Sequence, residues 1–534
     1  MKLPAPACRQ AGTPSNPLGR NGHVPVNRGE KPMKTKLSVQ QFILMPVRGF
    51  RAIQPFSPLS VVNFLTSIAG VGRVRPLAFG KKKGVPLKMR VLDSIDEDGP
   101  KLVELFPDEA ITLRAHQPSV KLVPVVYYKT AVAPRWSIQS RPRVATERAA
   151  VKITLKVASK KDATPIPGAS VVAFVDFEKG IGDQGTTNRK GEVRLSLGAS
   201  SKKLQRLYVY PEKGFWGCLK KNITVASGMT IGLAPLDLSY VDSLRYLYGN
   251  SPDGSGAGIK VAVIDTGIDT IHSDLHVDGG MNTVLGENPN DFGPNGSSHG
   301  THVAGIIAGR GRPSTGLRGL APGVKLRSYR VFGKNAESAS NYDIIKAIDQ
   351  AAADGCDLIN MSLGGGPSDD AMSAAIEETR AKGSLVIVAA GNEYRSPVSF
   401  PASDPLAIAV SAMGRKGTFP KDSTEAGDIS RPYGKDRNNF IAAFSNIGPA
   451  LDLTGPGVGV LSTVPGGYAP MSGTSMACPA VVGFAAKMLS MSGHRNILKM
   501  PRDQDRSDAM AQALLQAAKS LGFGPRYEGK GLPL

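Results

Sequence analysis

Beyond about residue 237 the chain alternates two patterns of apolar positions. Near-continuous apolar runs of strand length stand at 260–264, 326–332, 357–361, 385–390 and 407–412. Between them lie stretches with helical spacing, notably 341–353 and 369–382. A strand that is apolar at every position must be covered on both faces. The alternation therefore predicts a doubly wound parallel sheet with helices on both sides, an α/β domain over 237–534. Ligands of such sheets bind beyond the carboxyl ends of the strands. Over 150–236 the pattern changes. Apolar and polar residues alternate at 151–158 and 169–177, a turn-forming Gly-Thr-Thr-Asn-Arg-Lys-Gly fills 185–191, and 192–197 and 204–210 again read as strands. Short strands at this spacing predict a small β-sandwich, whose core Phe215 and Trp216 are expected to fill rather than form a binding face. Ahead of it, 41–47, 88–95 and the β-rich run 120–128 read as strands, with helical spacing at 58–69 and 107–117. These predict a small α+β domain over 38–133. Residues 1–37 are Pro, Gly, Asn and Arg with little to bury, and disorder is expected there.

Charge sharpens this division. The 534 residues carry a net +21, placed unevenly. Residues 1–150 hold 24 Lys and Arg against 9 Asp and Glu, 151–236 hold 14 against 6, and 237–534 hold 27 against 29. The basic character belongs to the N-terminal half. No nucleic-acid module accompanies it, so a solvated basic surface is expected, with an acidic partner as the alternative. Four cysteines, Cys8, Cys218, Cys356 and Cys478, are too few for a disulfide framework at this length and read as free thiols. No stretch has the uninterrupted apolar length of a membrane-spanning helix. The first 20 residues lack the apolar core of a signal peptide, so a cytoplasmic location is expected over secretion.

Three separated motifs carry chemistry. Asp265 ends an apolar run in Val-Ile-Asp-Thr-Gly, His299 opens His-Gly-Thr-His-Val-Ala-Gly, and Ser475 lies in Gly-Thr-Ser-Met-Ala ahead of a helical run. A hydroxyl is a weak nucleophile. It needs a base to take its proton and a carboxylate to hold that base in the right tautomer. Each motif has a plainer reading. Ser475 alone is a helix N-cap, and His299 with His302 at i and i+3 is a metal pair, although no third ligand motif is visible. Asp-Thr-Gly is also the signature of aspartic proteases, which need two such carboxylates, and there is no second copy. Taken together, in the order Asp, His, Ser, the motifs resemble those of the subtilisin-like serine proteases, the subtilases.

That resemblance covers about 237–534, where 507–521 and then 527–532 resemble the closing helix and strand of the family, and it implies a serine endopeptidase acting on protein or peptide substrates, with no cofactor. It implies Ser475 as nucleophile, His299 as general base, Asp265 as its orienting carboxylate and His302 as a structural neighbour. Asn392, in Ala-Ala-Gly-Asn, would join the Ser475 N–H as the oxyanion hole. Ser362, Leu363 and Gly364, with Gly391, would form the substrate-binding edge, to which an extended peptide adds as a strand. The domain over 38–133 is similar to the ferredoxin-like prodomains of the family, with cleavage expected within about 127–135. The sandwich looks like carboxypeptidase-regulatory or bacterial Ig-like modules. One departure concerns a family calcium site. The loop 309–316 has two arginines and no carboxylate, so no metal is expected there and Asp274 is left to pair with Arg310 or Arg312. The polar insertion at about 415–439 is expected to be a surface loop near the cleft or away from it. Two other functions stay open: a partner-binding protein dominated by the sandwich, and a peptide ligase or cyclase using the same acyl-enzyme.

Overall fold

The computed structural model describes residues 38–52, 59–72, 74–79, 85–141, 151–198 and 202–534. The expectation of disorder over 1–37 falls outside the described residues. The C-terminal domain is built on an eight-stranded sheet. Its strands run in the order Val277–Asn282, Lys325–Arg330, Lys260–Asp265, Leu358–Met361, Leu385–Ala389, Ile408–Arg415 and Asn439–Ile441, with Leu453–Pro456 also paired to Ile408–Arg415. All pairings are parallel except that of Asn439–Ile441. The period of two along each strand divides its side chains between two cores. Val261, Val263 and Ile387 face the helices His299–Ala308 and Thr474–Ser490, whereas Ala262, Ile264 and Val388 face Asn341–Ala353 and Asp370–Ala381. Each Val, Ile or Leu so buried contributes about 1.5–3 kcal/mol, which is why these strands are apolar at nearly every position. Lys260–Asp265 has its successors on both sides, so the strand order reverses there and opens a crevice at its carboxyl end. Asp265 stands at that end.

Residues 38–124 form a five-stranded antiparallel sheet in the order Val74–Phe79, Val85–Ser94, Lys101–Leu105, Gln40–Pro46, Val120–Pro124, with helices Leu59–Ser67 and Pro107–His116. Two of these strands, 74–79 and 101–105, are additional to those the sequence pattern predicts. The sheet lays Ile43, Met45, Leu102 and Val123 against the two helices Asn341–Ala353 and Asp370–Ala381, in one shared core. Arg51 reaches Asp349 at 2.8 Å and also pairs with Glu378, while Lys121 pairs with Asp370 at 3.2 Å. Part of the basic charge of the N-terminal half is thus met by acidic side chains of the same chain.

Between them, three strands in the order Glu192–Ser196, Lys152–Ser159, Thr230–Leu233 and four in the order Cys218–Thr224, Lys203–Tyr210, Ser170–Asp176, Ile181–Thr186 share one core, which includes Leu155, Val171, Leu195, Leu207 and Ile231. Trp216 corrects an expectation. It is buried in the core of the C-terminal domain, 5.4 Å from the Tyr240 ring, and not in that of the two small sheets. Phe215 packs on the small sheets' core and lines the cleft. Lys160 and Lys220 both pair with Asp422, at 3.0 and 2.9 Å, and tie the module to the insertion at 415–439. At the C-terminus, helix Gln504–Gln516 is followed by a turn of helix at Pro525–Glu528, and only Leu532–Pro533 forms a strand, paired to Ala518–Lys519. The strand expected over 527–532 is therefore shorter and later. Gly524 and Gly529 flank the short helix, and its Glu528 carboxylate collects the backbone N–H groups of residues 521–524. Among the described residues, no helix is long and apolar enough to cross a membrane.

Candidate active site

Asp265 and His299 meet where the Lys260–Asp265 strand ends and the helix His299–Ala308 begins. Gly300 permits the approach, since a Cβ there would stand 2.4 Å from the Gly267 carbonyl oxygen. His299 Nδ1 lies 2.7 Å from Asp265 Oδ1, and both side chains are buried. The Thr266 N–H also donates to Asp265 Oδ1, at 2.7 Å. This fixes the ring with Nε2 pointing away from the carboxylate, and Nε2 has no hydrogen-bond partner among the described residues. His302, one turn along, is fully buried with Nε2 at 3.1 Å from the carbonyls of both Val460 and Ala469. Burial pushes its pKa down to about 3. It is a neutral core histidine, satisfied by backbone on one nitrogen.

Ser475 is the second residue of the helix Thr474–Ser490. Pro479 therefore falls in the second turn rather than the first. Its missing N–H would have bonded the Ser475 carbonyl, and that oxygen instead accepts the Ser362 hydroxyl at 3.0 Å. The Ser475 hydroxyl donates to the Ser362 carbonyl, also at 3.0 Å. Asn392 is brought alongside. Its Oδ1 accepts the Thr474 N–H at 2.9 Å and lies 3.2 Å from the Thr474 hydroxyl, which orients the amide. Its Nδ2 is buried with no partner among the described residues. Gly391 N–H donates to Thr474 Oγ1 at 3.1 Å.

The cleft is filled by a segment of the chain itself. Past Pro124 the Val125 N–H still bonds the Gln41 carbonyl at 3.3 Å, and the chain then leaves the small sheet along Asn341, whose Oδ1 accepts the Val126 N–H at 3.2 Å, to form a new strand, Tyr127–Thr130. This strand lies antiparallel between Ser338–Ser340 and Leu363–Gly364. Tyr128 is fully buried, its hydroxyl 2.8 Å from the Pro367 carbonyl and 2.9 Å from Asp369 Oδ2. Burial and that carboxylate raise the hydroxyl far above an ordinary tyrosine, so it stays a donor. Ala131 N–H donates to the Ser362 carbonyl at 3.0 Å. The Ala131 carbonyl in turn accepts the Ser475 N–H at 3.0 Å. Gly473 is required by this fit, since a Cβ there would stand 2.7 Å from the Ala131 oxygen. An amide carbonyl is thus held on a helix-terminal N–H beside a hydroxyl, with an unpartnered amide on the neighbouring residue, Thr474, and the His299 imidazole lining the same cavity as Val132 and Ser472. That arrangement suits acyl transfer.

Two features near the site differ from the sequence-based expectation or carry no sequence signal. Asp274 is not paired with Arg310 or Arg312. Its Oδ2 accepts the Leu317 N–H and the Tyr468 hydroxyl, each at 2.8 Å, while Arg310 Nε donates to the Pro322 carbonyl. The insertion at 415–439 forms a short turn of helix, Thr424–Asp428, on the wall of a cavity of about 790 Å³ that His299 and Thr266 also line. Glu425 in that wall is buried, its carboxyl pushed up by burial, and its Oε2 has no partner among the described residues. No motif marks this wall, because its residues come from the insertion and from Tyr208, Tyr210 and Phe215, which are far from it in the chain.

Residues 256–530, just over half of the chain, match the model of the subtilase family. The chain is 40% identical over 243 residues to subtilisin NAT of Bacillus subtilis subsp. natto, covering 44% of this chain and 56% of that protein. It is 42% identical over 233 residues to alkaline elastase YaB of Bacillus sp. (strain YaB), covering 43% and 54%. With subtilisin DY of Bacillus licheniformis the figures are 39% over 241 residues, 44% and 78%. The chain spans about half the length of the first two relatives. A match of this extent, over a domain that contains Asp265, His299 and Ser475, means that the chain belongs to the subtilase family.

Proposed function

We propose that the protein is a serine endopeptidase that cuts peptide bonds through Ser475, His299 and Asp265, and that its first substrate is its own bond between Ala131 and Val132. One observation carries the reading: the Ala131 carbonyl sits on the Ser475 N–H at 3.0 Å, at the end of a strand paired to Leu363–Gly364. In this mechanism the Ser475 hydroxyl turns from the Ser362 carbonyl to His299 Nε2, which takes its proton as Oγ attacks the Ala131 carbonyl carbon. Asp265 holds the ring and stabilises the imidazolium. The negative charge that develops on the Ala131 oxygen is met by the Ser475 N–H and the Asn392 amide. His299 then protonates the Val132 nitrogen as the C–N bond breaks. Water, deprotonated by His299, releases the acyl group in a second round.

In the same reading residues 38–131 act as a prodomain. Their sheet is fixed to the two helices behind the cleft, and their last strand fills the side of the site that precedes the cut bond. The long-range parallel pairings of the peptidase sheet form slowly, and a small antiparallel domain docked on two of its helices lowers the cost of assembling them. Substrates would bind in place of 127–131, as an extended strand on Ser362, Leu363 and Gly364. The test is hydrolysis of a fluorogenic peptide ending in Tyr-Lys-Thr-Ala before the leaving group. Ser475→Ala should lower kcat by about 10⁶, a magnitude measured on subtilisin itself. Undiminished turnover by Ser475→Ala would remove Ser475 from the mechanism.

A further inference from the structure

The chain beyond the proposed cut is anchored as firmly as the chain before it, and to a different part of the molecule. Ala133 N–H donates to the Ser472 carbonyl at 2.9 Å, continuing the line of the cleft past Ser475. The Trp136 ring packs edge-on to Phe177 at 4.7 Å and lies 6.3 Å from Tyr208 and 6.1 Å from Tyr394. Its backbone N–H reaches the Tyr210 hydroxyl at 3.3 Å. The next residues add to the edge strand Ile181–Thr186. Ile138 N–H donates to Gln184 Oε1 at 2.8 Å, Gln139 N–H to the Gly180 carbonyl at 2.9 Å, and Gly182 N–H to the Ser140 carbonyl at 3.2 Å. The β-module carrying these anchors is itself fixed to the peptidase domain by buried Trp216 and by Lys160 and Lys220 on Asp422.

We propose that the β-module supplies the primed half of the peptide-binding cleft, the half that takes residues after the cut bond, and that it keeps the chain's own residues 132–136 seated there after cleavage. This rests on the reading that the bond between Ala131 and Val132 is cut. The two products are then unlike. Residues 38–131 are held by non-covalent contacts and can leave. Residues 132–136 are covalently continuous with the enzyme, and Trp136 lies only four residues from the new amino terminus. A tether that short keeps the segment at an effective concentration in the millimolar range. Substrates that extend past the scissile bond must displace it, whereas substrates that end there need not. The segment therefore selects against long peptides while leaving short acyl donors untouched. The cavity between His299 and the wall of Tyr208, Tyr210 and Glu425 is the space into which a displacing peptide would run.

The experiment begins with the intact masses of the processed enzyme, which report whether the new amino terminus is Val132. Another terminus overturns the cleavage reading, whereas the role of the β-module is decided by a comparison of substrates. Two substrates with the same residues before the cut are used: a p-nitroanilide, and a quenched peptide continuing five residues past the bond. Trp136→Ala should raise kcat/KM about tenfold on the extended peptide and leave the anilide within about twofold. Equal effects on both substrates, or none on either, overturn the proposal. The second measurement uses the wild type and settles the case in which Trp136→Ala fails to fold. Reductive methylation of the Val132 amine should run at least about tenfold slower in the native processed enzyme than in the free peptide Val-Ala-Pro-Arg-Trp. Equal rates would show that the segment has left the cleft.

Discussion

Removing the Tyr128 hydroxyl measures how tightly the cleft holds the strand that fills it. In Tyr128→Phe the ring stays against Gly366, where a Cβ would meet its Cε1 at 2.4 Å. What is lost is one proton shared between Asp369 Oδ2 at 2.9 Å and the Pro367 carbonyl at 2.8 Å. Asp369 is buried and keeps the Met372 N–H at 2.8 Å and the Asn341 amide at 3.3 Å, so it is weakened as an ion but not orphaned. A hydrogen bond to a charged group contributes about 1.5–3 kcal/mol, which converts to about 10- to 160-fold in affinity. Tyr128→Ala also empties the ring's seat, at about 3–5 kcal/mol for a buried aromatic. The assay is inhibition of the processed enzyme, on an anilide substrate, by the released 38–131 segment carrying each residue. The inhibition constant should rise about 10- to 160-fold for Tyr128→Phe and by a larger factor for Tyr128→Ala. Asp369→Ser keeps an oxygen to cap the helix Asp370–Ala381 but removes the carboxylate. In a double-mutant cycle it should shrink the difference between tyrosine and phenylalanine to about 0.5–1.5 kcal/mol, that of the neutral hydrogen bond left to the Pro367 carbonyl. Equal inhibition by the unaltered segment and by the segment carrying Tyr128→Phe would refute the assignment of this contact.

Asn392→Leu should lower kcat by about 10² to 10³ with KM nearly unchanged, because its amide acts on charge that appears only in the transition state; a raised KM at preserved kcat would move Asn392 to ground-state binding. His302 sets an acid limit on stability. Its folded pKa is depressed to about 3 against an unfolded value near 6.5, so between those values the unfolded chain binds the extra proton and stability falls as pH falls. Its share of that loss is at most about 1.4 kcal/mol per pH unit. In a Ser475→Ala background, His302→Asn should start less stable at pH 7 and lose less melting temperature between pH 6 and 4 than its parent. Parallel curves would mean that His302 is not the titrating group.

Where the sequence speaks clearly, the reason is physical. The helix Asn341–Ala353 and the strand Lys260–Asp265 coincide with their predicted spans to within a residue, because burial on one stripe or on both faces writes its period directly into the chain. The motif residues Asp265, His299, Asn392 and Ser475 are local signals; the fold pairs Asp265 with His299 at the switch point of the sheet and sets Asn392 on the Thr474 N–H, next to Ser475. Strand Lys101–Leu105 is illegible because its first residue is a lysine. That ammonium is buried in a cradle of the Glu97, Gly99 and Asp96 carbonyls, and burial lowers its pKa to about 8. The pattern misplaces Trp216 because hydrophobicity says that a side chain is buried, not against which domain. The run 120–128 reads as one strand but is two, one in the small sheet and one in the cleft, because Asn341, distant in the chain, takes both the N–H and the carbonyl of Val126. Nothing in the residues Thr-Ala-Val announces that the Ala131 carbonyl lies on the Ser475 N–H.

The most direct test of the account is the mass of the purified chain. Wild-type protein should appear as two pieces divided between Ala131 and Val132, and Ser475→Ala as one uncut chain of the same fold. A wild-type chain that stays whole when folded, or a Ser475→Ala chain divided at the same bond, would contradict the claim that this site cuts the strand lying in it.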